Sequence, residues 1–206
     1  LPNVDLITAE YDLTETEDNQ LLRWLMHDSD DDVRSRLARL FNSRHHKLAD
    51  EYDLIIMDAP PRLSLASVNA LKASDYVLIP TKLQSLSVAP IHKMLDHLKT
   101  LQPRRKSKFE ILGVICSMTA EERRPTGTET IAYEEIKQAL EVGAPRAKIY
   151  SRHVKDLKDI GRPAGVDIGY LVKGASGDRV RELFNDIAAE IAEDIGLNYG
   201  LANAAE

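Results

Sequence analysis

The chain has 206 residues, with 27 Lys or Arg against 33 Asp or Glu, and therefore a formal net charge of −6. Its single cysteine excludes a disulfide framework, and no apolar run approaches the roughly 18 residues that a membrane-spanning helix needs. The excess of acid disfavours a protein that coats nucleic acid with its whole surface, although a local basic patch remains compatible with it. We expect residues 1–206 to form a single domain with a frayed tail at 198–206.

Three short apolar runs predict strands that are buried on both faces. They are Leu54–Met57, Val77–Ile79 and Ile111–Cys116, and a weaker candidate at 4–9 is interrupted by Asp5. Each run is too short for a typical helix and lacks the alternation of a half-exposed strand.

Apolar residues at helical spacing predict helices over 33–48, 88–101 and 178–195. Ser87 and Asp178 are the expected N-caps of the second and third helices. Pro90 would fall in a first turn, where proline is tolerated, and Gly196 would end the last helix. Strands that alternate with such helices predict an α/β fold, a mostly parallel doubly wound sheet with helices on both faces.

The most informative segment is Tyr52–Pro61, in which an apolar run ends at Asp58 and two prolines follow. In open α/β sheets, ligands bind just outside the carboxyl ends of the strands, and a carboxylate there can hold Mg²⁺. The same pattern also fits an aspartate that merely ends the strand or caps the next helix. The residues alone leave both interpretations open.

The segment from residue 52 to residue 101 resembles the ParA/Soj/MinD family of deviant-Walker P-loop ATPases. The matching sequences, in chain order, are YDLIIMDAPP at 52–61, NAL at 69–71 and DYVLIP at 75–80. Weaker resemblance extends to residues 1–9, 111–118, 161–163 and 178–195. The resemblance therefore covers most of the chain and implies an incomplete P-loop NTPase fold of the SIMIBI-like kind.

The resemblance implies an intact protein that binds ATP or ADP with Mg²⁺, forms a homodimer and binds DNA non-specifically. Such a protein would segregate a plasmid or chromosome with a centromere-binding partner protein, in the bacterial cytoplasm and on the nucleoid. Asp58 is the expected Mg²⁺ carboxylate and catalytic residue. The other residues that the resemblance places at the nucleotide are Ala59, Pro60, Pro61, Ser117 and Met118.

Two basic clusters fall in the predicted surface loops at 102–108 and 119–128. They are Arg104, Arg105, Lys106 and Lys108 in the first loop, and Arg123 and Arg124 in the second. The resemblance to DNA-binding ParA members makes these residues candidate phosphate contacts, whereas each one alone also fits a solvated loop charge. The tail at 196–206 lacks the basic amphipathic helix of MinD-like members, so membrane binding is not expected.

The phosphate-binding loop of this family, G-x-x-x-x-G-K-[ST], is absent from the 206 residues. Because the chain also begins with Leu1 rather than Met, we expect a missing N-terminal portion. We accordingly expect these residues alone to hydrolyse no ATP and to bind no nucleotide tightly.

The loss of that portion would leave the predicted strand at 52–58 with an unpaired edge. We therefore expect either pairing with another chain or a rearranged sheet. Two alternative functions stay open. One is a nucleotide-dead homologue that acts as a partner- or DNA-binding module, and the other is an ATPase of the same fold with another positioning or metabolic role.

Overall fold

The computed structural model describes residues 3–9, 12–26, 31–45, 48–60, 63–101, 109–156 and 169–197. They fall into two compact units, an N-terminal unit of residues 1–75 with 104–109, and a sheet unit of residues 76–103 with 110–206. That residues 1–206 form a single domain stays a prediction. Pro61, the basic cluster at 104–108, residues 161–163 and the tail at 198–206 lie outside the described residues.

The described part of the N-terminal unit is helical. Its helices are α1 (Leu13–Leu25), α2 (Arg36–Phe41), α3 (Leu48–Glu51) and α4 (Leu65–Ala73), with a short 3₁₀ helix at Val33–Ser35 before α2. The single helix expected over 33–48 is therefore wrong, because the chain divides into these shorter pieces. Asn69 explains the break near residue 35, since its side chain contacts both the 3₁₀ helix and the first turn of α2.

The strand predicted at 54–57 is absent from the structure. Residues 54–60 form no regular element, and Leu54 and Ile56 are 49% and 83% exposed. The weaker candidate at 4–9 is likewise irregular, and the two segments meet where the Tyr52 hydroxyl donates a 2.6 Å hydrogen bond to Asp5. A strand needs a neighbour for its backbone groups, and no described residue supplies one here.

The sheet unit begins with β1 (Tyr76–Lys82), α5 (Ser85–Leu101), β2 (Glu110–Thr119) and α6 (Thr128–Gly143). It continues with β3 (Lys148–Ile149), β4 (Val154–Lys155), a 3₁₀ turn at Gly169–Leu171 and α7 (Ala175–Ile195). β2 pairs in parallel with β1 on one side and with β3 and then β4 on the other. The approach of β3 requires Gly113, because a Cβ there would lie 2.0 Å from the carbonyl oxygen of Lys148.

Helices cover both faces of this sheet. Successive residues of a strand point to opposite faces, so the side chains of Ile115 and Cys116 lie on the two opposite faces of the sheet at β2. Ile115 packs against Leu183 and Ile187 of α7, whereas burial and the negative charge of Glu129 on α6 raise the pKa of the Cys116 thiol on the other side. The α/β prediction of a mostly parallel sheet with helices on both faces is therefore confirmed.

Several helix boundaries differ from those predicted. α5 begins at Ser85, so Ser87 lies inside the helix and Pro90 lies beyond its first turn. α7 begins three residues before Asp178, with Gly174 at the N-cap position, and Asp178 instead forms an ion pair with Arg181 within the helix. Gly196 does end α7, in the left-handed conformation with φ 68°.

The helix α6 was not predicted. The signal for it is the spacing of its buried residues, Ala132, Ile136, Ala139 and Leu140, preceded by the capping pattern Thr126-x-x-Glu129. Among the residues that the structure describes, no helix combines the length and the apolar character needed to cross a membrane.

Candidate functional site

Asp58, Ala59 and Pro60 lie together on the exposed extended segment of the N-terminal unit. The Asp58 carboxylate makes no hydrogen bond or ion pair with any described residue. The segment reaches the first turn of α4, where the Ser67 hydroxyl donates a 3.4 Å hydrogen bond to the Pro60 carbonyl oxygen. Asp58 is therefore placed as a solvent-accessible carboxylate rather than as the cap of a helix.

The start of α4 is capped by other residues. Ser64 is its N-cap, and the Ser64 Oγ accepts a 3.3 Å hydrogen bond from the Ser67 amide. The Glu17 carboxylate of α1 accepts hydrogen bonds from the Ser64 hydroxyl at 3.0 Å and from the Ala66 amide. A negative charge at this position is favourable because the helix N-terminus is electropositive. The interpretation of Asp58 as the cap of the next helix is thereby removed.

In the sheet unit, Ser117 and Met118 lie at the carboxyl end of β2. Ser117 stands beside Lys82, the last residue of β1, and its hydroxyl donates a 3.1 Å hydrogen bond to the Thr81 carbonyl oxygen. Met118 is 52% exposed and has φ 53°, an uncommon conformation for a residue with a side chain. Strained backbone of this kind clusters at binding sites, and the carboxyl edge of a parallel sheet is where ligands bind.

The loop at 119–128 is held from within. The buried Thr119 hydroxyl donates a 2.8 Å hydrogen bond to the Glu121 carbonyl oxygen. The Glu129 carboxylate of α6 accepts hydrogen bonds from the amides of Ala120 at 2.9 Å and Thr126 at 3.0 Å. Burial raises the pKa of Glu129, but these amide hydrogen bonds outweigh it and hold the pKa below its ordinary value.

Ion pairs tie the same loop to the rest of the sheet unit. The Arg152 guanidinium binds Glu122 of the loop at 3.1 Å and Asp186 of α7 at 2.7 Å from its Nε, and its side chain is only 9% exposed. One residue earlier in the loop, Glu121 pairs with Lys155 at 3.4 Å. Arg152 was not predicted as a site residue, and nothing in its local sequence marks it, because its partners lie 30 and 34 positions away.

Arg123 and Arg124, called here the arginine tip, are exposed on this loop. Neither side chain makes a hydrogen bond or an ion pair with any residue that the structure describes. The tip therefore presents two cations to solvent. The other candidate phosphate contacts, Arg104, Arg105, Lys106 and Lys108, lie outside the described residues.

His153 lies buried beneath the loop. Its amide donates a 2.6 Å hydrogen bond to the Glu122 carbonyl oxygen, its ring stands 6.0 Å from that of Tyr133, and its Nδ1 has no partner among the described residues. Burial lowers the pKa of His153, and the negative charge of Glu129 opposes that shift. The neutral imidazole is therefore the form that the folded unit favours.

Comparison with known proteins places the chain in a family. Residues 1–111 match the AAA_31 family, described as an AAA domain. The chain is 29% identical over 147 residues to the sporulation initiation inhibitor protein Soj of Bacillus subtilis, and this match covers 68% of this chain and 52% of that protein. It is 31% identical over 104 residues to the chromosome partitioning protein ParA of Myxococcus xanthus, and this match covers 48% of this chain and 36% of that protein. The chain thus spans about half, or less, of the length of these relatives.

Solved structures show the same fold. A variant of Cyanothece McdA in complex with ATP matches 90% of this chain and 63% of its own chain with a TM-score of 0.64 at 17% identity. Apo McdA matches 85% of this chain and 66% of its own with a TM-score of 0.60 at 18% identity. Together with the sequence matches, these similarities show that the chain belongs to the AAA_31 family and is a ParA/Soj-like member of the P-loop ATPases.

Proposed function

We propose that the protein to which these residues belong is a ParA-like partitioning ATPase. It binds ATP with Mg²⁺, dimerises and binds DNA non-specifically, and it acts with a centromere-binding partner in the cytoplasm and on the nucleoid. The observation that carries this proposal is the family match over residues 1–111, which contains the segment Tyr52–Pro61 with Asp58. The similarity to the chromosome partitioning protein ParA of Myxococcus xanthus supports the same conclusion.

Asp58 is the residue that we assign to the metal. Mg²⁺ usually keeps several waters and is held by one or two carboxylates together with substrate phosphates, rather than by a cage of protein ligands. The described residues contain no cluster of three or more potential metal ligands, whereas Asp58 offers one accessible carboxylate without a partner. That arrangement fits Mg²⁺ only in company with a nucleotide. Bound there, Mg²⁺ would neutralise charge on the phosphates.

The remaining nucleotide contacts are assigned by position. Ala59, Pro60 and Pro61 would shape the chain beside the γ-phosphate, because prolines restrict the backbone that follows the carboxylate. Ser117 and Met118 would contact the base, since both stand at the carboxyl edge of β2 and Met118 is exposed there.

Nucleotide hydrolysis tests the enzymatic part of the proposal. The 206 residues carry no G-x-x-x-x-G-K-[ST] loop, so this chain alone should show no magnesium-dependent turnover. The protein expressed from its natural start codon should hydrolyse ATP, and Asp58→Asn should lower that rate by about a hundredfold. Asp53→Asn, another exposed aspartate of the same segment, is the matched control. Full turnover by Asp58→Asn would refute the assignment.

DNA binding tests the second part. We expect Arg123→Gln/Arg124→Gln to weaken binding to duplex DNA of random sequence and to reduce the salt slope by about 0.9 for each phosphate that the protein no longer neutralises. The control, Arg146→Gln/Arg179→Gln, removes the same charge from exposed sites elsewhere in the sheet unit. Equal weakening in the two double variants would mean that only net charge matters and that the tip does not touch the DNA.

The second candidate is a nucleotide-dead homologue that acts as a partner- or DNA-binding module. It predicts DNA or partner binding that does not respond to ATP, with no turnover even by the protein expressed from its natural start codon. An ATPase of the same fold with another positioning or metabolic role would show turnover, and a centromere-binding partner protein encoded beside it would distinguish partitioning from that role.

A further inference from the structure

The loop at 119–128 carries four charged residues in a row, Glu121, Glu122 and the two arginines of the tip. Taken as isolated charges they cancel, so a phosphate backbone within a Debye length of roughly 10 Å would meet no net attraction. The structure distinguishes the four residues by their contacts. Both glutamates are paired with cations from the segment around β4, whereas both arginines are exposed and unpaired within the described residues.

The pair formed by Glu122 and Arg152 differs from an ordinary surface ion pair. Arg152 is largely buried and its guanidinium is shared between the loop and α7, with Asp186 bound through the Nε and a second nitrogen. A planar guanidinium that binds carboxylates on two elements at once fixes their relative positions. The amide of His153 binds the Glu122 carbonyl oxygen at 2.6 Å, so residue 122 is held through both backbone and side chain.

These contacts at residue 122 determine the position of the arginine tip. Arg123 follows Glu122 directly, and the far end of the loop is anchored by Glu129 through the Thr126 amide. Only three residues, Arg123, Arg124 and Pro125, separate the two anchors. Such a short connection leaves the tip little conformational freedom, so less entropy is lost when it binds a ligand.

We propose that Arg152 is the positioning residue of the arginine tip, and that its ion pair with Glu122 presents the tip to the phosphate backbone of duplex DNA. This inference rests on the proposed DNA binding and deepens it. Arg152 itself touches no phosphate, because carboxylates of the loop and of α7 already occupy its guanidinium. Glu182 and Asp186 of α7 also pair with Arg152, and their negative charges confine the favourable approach of a polyanion to the tip.

Substitution of the two glutamates gives opposite expectations. Glu122→Gln removes a negative charge beside the tip, so simple electrostatics predicts tighter DNA binding. If Glu122 instead positions the tip through Arg152, its loss should weaken DNA binding. We expect the affinity for duplex DNA to fall by roughly fivefold, and the dependence of log affinity on log salt concentration to become shallower by about one. Glu121→Gln removes the same charge one residue earlier without touching Arg152, and it releases Lys155 from its pair. We expect its affinity to rise or to stay unchanged.

The experiment uses the protein expressed from its natural start codon, with ATP and Mg²⁺, and measures anisotropy of a labelled random-sequence duplex over a range of salt. Amide hydrogen exchange at Ala120 and Thr126 is measured in parallel, and Glu122→Gln should speed it while exchange in α6 and α7 stays unchanged. Arg152→Lys is a second variant that keeps the charge but loses the planar fork, and it should repeat the effect in weaker form.

Tighter or unchanged DNA binding by Glu122→Gln, with unchanged exchange in the loop, would overturn the inference. A wild-type protein that fails to bind DNA would refute the proposed DNA binding instead. In that case faster loop exchange in Glu122→Gln would still support the tie between Arg152 and the loop, and unchanged exchange would remove it.

Discussion

The side-chain oxygen of Asn69 accepts a 2.8 Å hydrogen bond from the backbone amide of Arg36, although the two residues are 33 positions apart. The same oxygen accepts from the Leu37 amide at 3.3 Å, and the side-chain nitrogen donates to the Val33 carbonyl oxygen at 2.8 Å and the Leu65 carbonyl oxygen at 3.0 Å. One buried amide thus serves the start of α2, the 3₁₀ helix before it and its own helix.

Asn69→Leu should destabilise the N-terminal unit by about 2–3 kcal/mol, because it leaves buried backbone groups without partners. Urea unfolding followed by Trp24 fluorescence measures this, since the only tryptophan lies in α1. Asn42→Ala is the control, because the Asn42 side chain makes one exposed hydrogen bond to the Ala38 carbonyl oxygen. It should change the free energy of unfolding by less than about 0.5 kcal/mol. Similar losses of stability in both variants would show that the hydrogen bonds of the Asn69 side chain do not stabilise the unit specifically.

Gly177→Ala tests whether the start of α7 leaves room for a side chain at residue 177. Alanine normally favours a helix over glycine by about 1 kcal/mol. A Cβ at residue 177, however, would lie 1.7 Å from the carbonyl oxygen of Val172, and backbone yields poorly. We therefore expect stability to fall by about 1–3 kcal/mol in thermal or urea unfolding of the sheet unit.

Gly143→Ala is the comparison for this variant. Its Cβ would lie 2.8 Å from the Leu95 Cδ1 and 3.2 Å from the Leu95 Cβ, so it meets a side chain rather than the backbone. Its destabilisation should be smaller than that of Gly177→Ala, and the reverse order would show that the backbone at Val172 relaxes easily.

His153 should make the stability of the sheet unit depend on pH. Its pKa in the folded unit is lowered by burial from the ordinary value of 6.5, so the unfolded chain binds the proton more tightly. Stability is therefore greatest above pH 6.5, falls as the pH drops below that value, and levels off below the folded pKa. Urea unfolding between pH 5 and pH 7.5 measures the slope.

Replacement of the imidazole should remove that slope. His153→Gln should flatten the profile between about pH 5 and 6.5, whereas His92→Gln, at an exposed site on α5, should leave it unchanged. A wild-type profile that is already flat in this window would contradict the prediction.

Cys116 should be inert until the sheet unit opens. The thiol is fully buried, and burial raises its pKa to about 12, so the reactive thiolate is scarce at pH 8. Labelling with a thiol-specific disulfide reagent should be negligible in the folded protein and should follow the urea unfolding curve. Lys137→Cys, at an exposed site on α6, should provide a fast-reacting reference in the same chain. Prompt labelling of the wild type would contradict the burial of Cys116.

The elements that could be predicted from the sequence are those with local signals. The apolar runs at 77–79 and 111–116 lie within β1 and β2, and the helical spacing before Gly196 lies within α7. The missed helix α6 also carried local signals, in its apolar spacing and in the pattern Thr126-x-x-Glu129. The local sequence is therefore sufficient to predict α6.

Other features depend on contacts between distant residues. The apolar run at 54–57 has the composition of a buried strand, yet a strand forms only where another strand can pair with it, and none of the described residues does. Likewise, Asp178 has the residue type of an N-cap, but the close approach of Gly177 to Val172 accompanies a helix start at Ala175. Residue propensities indicated a strand at 54–57 and a helix start at Asp178. Packing decided that the strand does not form and that the helix starts at Ala175.

The sequence by itself determined the fold class and the family, because apolar patterning and the short motif with Asp58 are local properties of the chain. It also marked Arg123 and Arg124 as candidate contacts by charge alone. Only the tertiary structure decided which charges on that loop are free, since Glu121 and Glu122 find their cations more than 29 positions away. The physical reason is that an ion pair depends on distance in space, and folding alone brings Arg152 between the loop and α7.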